Sequence, residues 1–198
     1  METNSLNAGC EIEIFDSNIF YYKNVISNSE ELIHLLEKSN ESTNSEDMIS
    51  SWRPWVSTSN GNQFGYIKDV DYEKYNTSSN KIKYIYKSID NVINYVSKDY
   101  SEKLGIELGE RAPLCISKYS ESKFMGPHTD EQSGAQISAV LYLNDDYSGG
   151  ELNFPNQNVS IKPISGSIII FPSVSPYVHD PQPSYKSEKY ICPVFWCK

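Results

Sequence analysis

The chain has 198 residues, with 17 basic and 26 acidic side chains and a formal charge of −9. That length predicts one domain, and 15 Tyr, 7 Phe and 3 Trp give it the aromatic content that globally disordered chains lack. The longest apolar run, Ile168-Ile169-Ile170-Phe171, is far short of the ~20 residues of a membrane span, and the negative total opposes nucleic-acid binding through phosphates, so neither partner is expected.

In chain order, residues 1–9 are polar and carry no charged-then-apolar leader, which points to a cytoplasmic location. Ile12 to Lys23 is rich in β-formers and broken by Asp16-Ser17-Asn18, so it predicts two short strands. Ser27-x-x-Glu30 reads as a capping box, and Leu32, Leu35 and Leu36 continue a helix to about Lys38. Residues 40–51 are a polar loop, followed abruptly by Trp52-Arg53-Pro54-Trp55. The region 40–80 is a candidate lid, with Trp52, Arg53 and Trp55 as candidate substrate contacts. Ile82, Ile85, Ile89, Val92, Ile93 and Val96 then repeat at helical steps, predicting a helix over 81–104 that ends at Gly105.

From Ala112 the pattern changes to short β-rich runs separated by Gly, Pro, Asn and Asp. Strands are predicted near 112–119, 123–130, 136–144, 150–154, 158–162, 167–171, 175–179 and 189–196. The expected fold class is α+β: a single domain over 1–198. Residues 1–110 supply strands and supporting helices, and residues 111–198 form a double-stranded β-helix (jelly-roll) core of about eight strands.

The four cysteines, Cys10, Cys115, Cys192 and Cys197, show no CxxC spacing and read as reduced thiols. The chemistry lies with the histidines. His34 sits among leucines of the first predicted helix and reads as structural or surface. His128-Thr129-Asp130 is placed on a predicted strand, where period two puts His128 and Asp130 on one face; His179 ends another, 51 residues later. Two imidazoles and one carboxylate are the ligand set of non-haem Fe(II) oxygenases, with positions left open for a cosubstrate and O2. A lone HxD triplet is common by chance, so the surrounding motifs matter.

Those motifs are Ile116-Ser117-Lys118-Tyr119, His128-Thr129-Asp130, Val140-Leu141-Tyr142-Leu143-Asn144, Gly149-Gly150-Glu151-Leu152, Gly166-Ser167-Ile168-Ile169-Ile170-Phe171-Pro172 and His179-x3-Pro183-x5-Lys189. In this order they resemble the catalytic domain of 2-oxoglutarate/Fe(II)-dependent dioxygenases, most of all the prolyl 4-hydroxylase type, over about residues 112–198. The resemblance implies iron on His128, Asp130 and His179. It implies 2-oxoglutarate with its far carboxylate on Lys189 and Tyr142, and Tyr119 as a further cosubstrate contact. It also implies O2 as co-reactant, ascorbate as the reductant in vitro, and hydroxylation of a proline in a peptide or protein. The alternatives are a same-superfamily oxygenase of a free amino acid, small metabolite or nucleobase, or a non-catalytic metal-binding barrel. Relatives that halogenate have a small residue where Asp130 stands, which favours hydroxylation here. Trp196 is a further candidate for the pocket wall, with Phe195 read as packing. The chain departs from the family pattern at Ser122 and Ser187, where glycine is common.

Overall fold

The computed structural model describes residues 9–38, 52–56, 62–71 and 80–198. Strand β1 (Glu11–Phe15) and strand β2 (Ile19–Lys23) form a hairpin. Its turn is made by Asp16 and Ser17, both at positive φ, a conformation suited to a short polar side chain. Helix α1 (Ser29–Lys38) follows. Its first i to i+4 bond runs from the Leu32 amide to the Asn28 carbonyl. The helix therefore starts one residue later than a Ser27 cap requires.

Strands β3 (Arg53–Val56) and β4 (Gln63–Asp69) pair antiparallel, and helix α2 (Asn80–Leu104) comes next. The remainder is β5 (Glu110–Arg111), β6 (Cys115–Tyr119), β7 (Ala135–Tyr142), β8 (Ser148–Gly149), β9 (Leu152–Phe154), β10 (Val159–Ile161), β11 (Ser167–Pro172), β12 (Asp180–Pro181), β13 (Ser184–Tyr185) and β14 (Lys189–Cys197). The large sheet runs β1-β2-β11-β7-β14-β6-β4-β3, with β5 beside β14. A three-stranded sheet, β10-β9-β12, and the pair β13-β8 face it. This is the expected α+β jelly roll, and strands from before residue 110 widen its large sheet at both ends.

The large sheet is buried on two faces, and strand alternation decides which side chain goes where. Phe20, Tyr22, Ile168, Ile170, Leu141, Cys192, Val194 and Trp196 pack against α1 and α2. Ile19, Tyr21, Ile169, Phe171, Tyr142 and Ile191 turn the other way and meet Leu152, Phe154 and Ile161 of the small sheet. Helix α2 buries the stripe Ile82, Ile85, Ile89, Val92, Ile93 and Val96 that the sequence spacing predicts. It is fixed over β2 by Tyr100, which stands edge-on to Phe20 at 5.0 Å, and by Tyr22, whose hydroxyl donates to Asp99 at 2.7 Å.

Pro193 lies inside β14, where a proline removes a ladder bond. The pairing of β14 with β6 stops at Ile191, and that with β5 begins only at Trp196. The missing N–H thus falls in a stretch unpaired on that side. Two predicted strands are absent: 123–130 and 175–179 are loops, touching only through an isolated bridge between His128 and His179. The candidate lid over 40–80 contains β3 and β4, so those parts are fixed sheet; its residues 40–51, 57–61 and 72–79 lie outside the described residues.

Ile170 is fully buried on the helix-facing side of β11, away from the cavity described below. Ile170→Ala is expected to cost about 2–5 kcal/mol of unfolding free energy, read by urea denaturation, with metal binding retained below the transition.

Candidate metal centre

His128 and His179 sit on two loops that the chain brings side by side. The His128 amide donates to the His179 carbonyl and the His179 amide to the His128 carbonyl, each at 2.9 Å. This closed pair holds the two backbones in register where His179 leads into β12, and the rings lie 4.2 Å apart between centroids. Asp130 is anchored by its amide, which donates to the Ser173 carbonyl at 3.0 Å. His128 Nε2 lies 3.6 Å from Asp130 Oδ1, and His179 Nε2 lies 3.5 Å from Asp130 Oδ2. One donor atom from each of the three side chains falls within 4.8 Å of the others. Donors held ~2.1 Å from one ion are at most about 4.2 Å apart, a spacing that the two histidine–aspartate distances already meet.

The donors are also in the right chemical state. His128 Nδ1 is 2.8 Å from the Gly126 carbonyl, which can only accept, so Nδ1 carries the proton and Nε2 keeps its lone pair. Burial pushes His179 below its ordinary range and favours the neutral, metal-binding imidazole, against the opposing pull of Asp130. Ser138 donates to Asp130 Oδ2 at 2.6 Å, and its own oxygen lies 2.6 Å from the Ser173 hydroxyl. Since Ser138 gives its proton to the carboxylate, Ser173 donates to Ser138. Both serines are buried, so this relay fixes the carboxylate plane from behind. The residues present fit a divalent metal of the 2-His-1-carboxylate type.

The three side chains open onto a cavity of about 250 Å³ between the large and small sheets. Its walls include Tyr119, Tyr142, Val140, Ile191, Leu152 and Phe171. Lys189 lies at one end. It is 4% exposed, and its Nζ donates to the Gly150 carbonyl at 3.1 Å. Among the described residues no carboxylate forms an ion pair with it. The rings of Tyr142, Tyr147 and Tyr119 surround Nζ at 5.5, 5.7 and 5.8 Å from their centroids. Burial, helped by the nearby Lys162 and opposed by Glu151, lowers its pKa from 10.5 to about 8. Gly150 itself stands at φ +75, and a Cβ there would come within 2.6 Å of the Tyr147 ring, so only glycine presents this carbonyl without strain.

Strand alternation separates the other sequence candidates. Trp55 lines the cavity and stands edge-on to Tyr119 at 5.0 Å and to Phe64 at 5.4 Å. Trp52 turns to the helix side, edge-on to Tyr190 at 6.2 Å, with Lys118 and Lys68 over its ring. Arg53 is exposed and reaches both carboxylate oxygens of Asp69, at 3.2 and 3.1 Å. Trp196 does not reach the cavity. On β14 the odd positions Lys189, Ile191, Pro193 and Phe195 face it, and Trp196 packs with the helix-side core. Phe195, read from sequence as packing, is the wall residue. His34 is exposed on α1, remote from the cavity walls. Ser138 and Ser173 were not foreseen. The one sequence signal for Ser138 is a hydroxyl in an otherwise apolar strand, Ile137-Ser138-Ala139-Val140.

With this geometry in place, the family model of the 2OG-Fe(II) oxygenase superfamily matches residues 114–197. No curated protein matches the chain. Among solved structures, a prolyl hydroxylase from Trichoplax adhaerens, in complex with a hypoxia inducible factor oxygen degradation domain peptide fragment, has a TM-score of 0.65 at 18% identity, covering 92% of this chain and 84% of that one. The viral collagen prolyl hydroxylase of Paramecium Bursaria Chlorella virus-1 has a TM-score of 0.61 at 15% identity, covering 92% and 98%. A Pseudomonas putida prolyl-4-hydroxylase has a TM-score of 0.59 at 18% identity, covering 86% and 88%. At these identities the likeness is one of fold. Among the described residues, no helix is long and apolar enough to cross a membrane.

Ser138→Ala removes the donor to Asp130 without touching a candidate ligand. It is expected to weaken Mn(II) or Fe(II) binding by about 10–100-fold, read by calorimetric titration, while Ser138→Thr keeps the hydroxyl and recovers part of the loss.

Proposed function

We propose that the protein is an Fe(II)- and 2-oxoglutarate-dependent hydroxylase whose target is a residue, proline foremost, within a peptide or protein. The observation that carries the cosubstrate reading is Lys189: a buried ammonium that makes no ion pair with a described carboxylate, in the cavity onto which His128, Asp130 and His179 open. An isolated buried cation is costly, and a carboxylate offsets that cost. A dicarboxylate with a keto group can answer both ends of the cavity at once. The peptidyl-proline reading is supported by the ordered motifs of 112–198 and by similar structures that are prolyl hydroxylases, one of them holding a peptide.

In this reading His128 Nε2, Asp130 and His179 Nε2 hold the iron. Bound iron, with 2-oxoglutarate and O2, supplies the oxidant: 2-oxoglutarate becomes succinate and CO2, one oxygen atom entering succinate and the other the substrate C–H bond. Lys189 binds the far carboxylate, with the Tyr142 phenol beside it and Tyr119 on the same wall. The apolar walls Val140, Leu152, Phe171 and Ile191 exclude water between the two ends, which strengthens the Lys189–carboxylate attraction and protects the oxidant from side reactions. Ser138 and Gly126 keep Asp130 and His128 oriented throughout.

The test is mass spectrometry of proline-containing peptides after incubation with Fe(II), ascorbate and 2-oxoglutarate. A +16 Da product with matching succinate release is expected, abolished by a chelator and by His179→Ala; product formation without 2-oxoglutarate would refute the reading.

Lys189 sets a pH dependence. Its pKa of about 8 without a partner means the ammonium is present below that pH and lost above it. Carboxylate affinity is therefore held at pH 7 and falls as pH rises through 8, toward about tenfold per unit. Glu151, Lys162, Tyr119, Tyr142 and Tyr147 are the other titratable groups around Nζ. Lys189→Ala is expected to raise the 2-oxoglutarate Kd at least tenfold with metal affinity unchanged, measured by calorimetry on the Mn(II)-loaded protein.

A further inference from the structure

Among the described residues, Nδ1 of the buried His179 has no hydrogen-bond partner. The Nε2 atom faces Asp130 at 3.5 Å, and the rings of Phe171 and Phe154 flank the imidazole with centroids at 4.9 and 6.4 Å. These contacts fix the plane of the ring but give Nδ1 no acceptor. His128 is served differently: the carbonyl two residues before it, that of Gly126, lies 2.8 Å from its Nδ1. The carbonyl two residues before His179 belongs to Tyr177. It is the backbone acceptor that acts on the His179 ring, though it stands outside hydrogen-bond geometry. A neutral imidazole that binds a metal through Nε2 carries its proton on Nδ1, and a buried donor left unpaired is costly.

Tyr177 stands in the stretch 174–178, which joins Ser173, bonded to the Asp130 amide, to His179. Its own amide donates to the Val174 carbonyl at 2.9 Å, and its ring packs against the cavity-side core. Two side chains from elsewhere tie the stretch down. Asn156, in the turn after β9, donates to the Pro176 carbonyl at 2.7 Å. Asn18, in the β1–β2 turn and 159 residues away in sequence, donates through Nδ2 to the Tyr177 hydroxyl at 2.6 Å. Asn18 is itself pinned through its backbone. Its amide donates to the Asp16 carbonyl at 2.7 Å, and its carbonyl accepts from the hydroxyl of Tyr100, a buried residue of α2, at 2.9 Å. A path of hydrogen bonds thus runs from α2 through the hairpin turn to the residue whose carbonyl acts on His179.

We propose that Asn18, acting through Tyr177, is a positioning residue of the metal centre. It holds the Tyr177 carbonyl where that group accepts the His179 Nδ1 proton when Nε2 binds a metal, as the Gly126 carbonyl does for His128. The inference rests on the metal-centre reading and is independent of the substrate. An outer acceptor of this kind orients a metal-bound imidazole, fixes its tautomer and raises its basicity. Tyr177 is held at both its amide and its ring hydroxyl, so its peptide unit has little freedom to turn away from His179. The second of these holds comes from the N-terminal hairpin, which makes that hairpin part of the site as well as part of the sheet.

The experiment uses the full chain. Mn(II) affinity is measured by calorimetry and stability by urea denaturation. Ring-proton exchange is read from long-range proton–nitrogen NMR spectra of the Zn(II) form labelled on its three histidines. The wild type is expected to bind through His179 Nε2, with a slowly exchanging Nδ1 proton. Tyr177→Phe removes the hydroxyl and keeps the ring. It and Asn18→Ala are each expected to weaken Mn(II) binding about tenfold and to speed exchange of that proton by about the same factor. The double variant is expected to match the weaker single within about twofold, because both changes cut one path. The His128 Nδ1 proton stays as in the wild type, and Ile170→Ala, destabilised on the helix side, keeps wild-type affinity. Unchanged Mn(II) affinity in either single variant overturns the inference, as does an additive double variant. Binding through His179 Nδ1 also overturns it, as does an affinity loss in Ile170→Ala equal to that of the singles. A wild-type chain that binds neither Mn(II) nor Zn(II) refutes instead the metal centre on which the inference rests.

Discussion

The site depends on one pair of backbone hydrogen bonds, those that His128 and His179 exchange across two loops. Their only bridge is to each other, although His179 leads directly into β12, which pairs with β9. The closed amide–carbonyl pair substitutes for a longer ladder. It brings two imidazoles from positions 51 residues apart to 4.2 Å between ring centroids, and the bond from the Asp130 amide to Ser173 adds the carboxylate. Backbone groups set this geometry, and side chains then tune it: Gly126 fixes a tautomer, and Ser138 fixes a carboxylate plane.

The second constraint is that one sheet serves two cores. On β2, β11, β7 and β14 alternate residues face the helices and the cavity, so the strands read as almost continuously apolar. The helix-side core supplies stability by apolar burial, which leaves the cavity side free to hold groups that are individually unfavourable. A buried lysine with a lowered pKa is such a group. So are the three titratable candidate ligands packed within 4.8 Å. Energetic cost concentrated in one cavity, and supported by a well-packed layer behind it, is the pattern expected of a binding site rather than of structural filler.

Much of the frame was legible in the chain. The α2 stripe, the β1–β2 hairpin with its Asp-Ser-Asn turn and the apolar β11 follow from local periodicity and turn chemistry, which depend on near neighbours. The two missed strands have non-local causes. Residues 123–130 and 175–179 contain β-formers, but each is fixed by contacts to distant segments: Ser122 to Ser184, His128 to His179, and Asp130 to Ser173. Those contacts override propensity. The Ser27 capping box failed because Asn28 supplies the first helical carbonyl.

By itself the sequence determined the class of the fold, the three candidate ligands and the basic residue ten positions after the second histidine, because residue type and order are sufficient for those. Only the tertiary structure decided which neighbours matter. On β14 a one-residue step separates Phe195 in the cavity from Trp196 in the helix core, and Trp55 on β3 and Trp52 just before it go to opposite faces. That choice is fixed by strand register, through β4 and β6 for Trp55 and through β7 for Phe195. Register is a property of paired strands, so it is written in no single stretch of the chain.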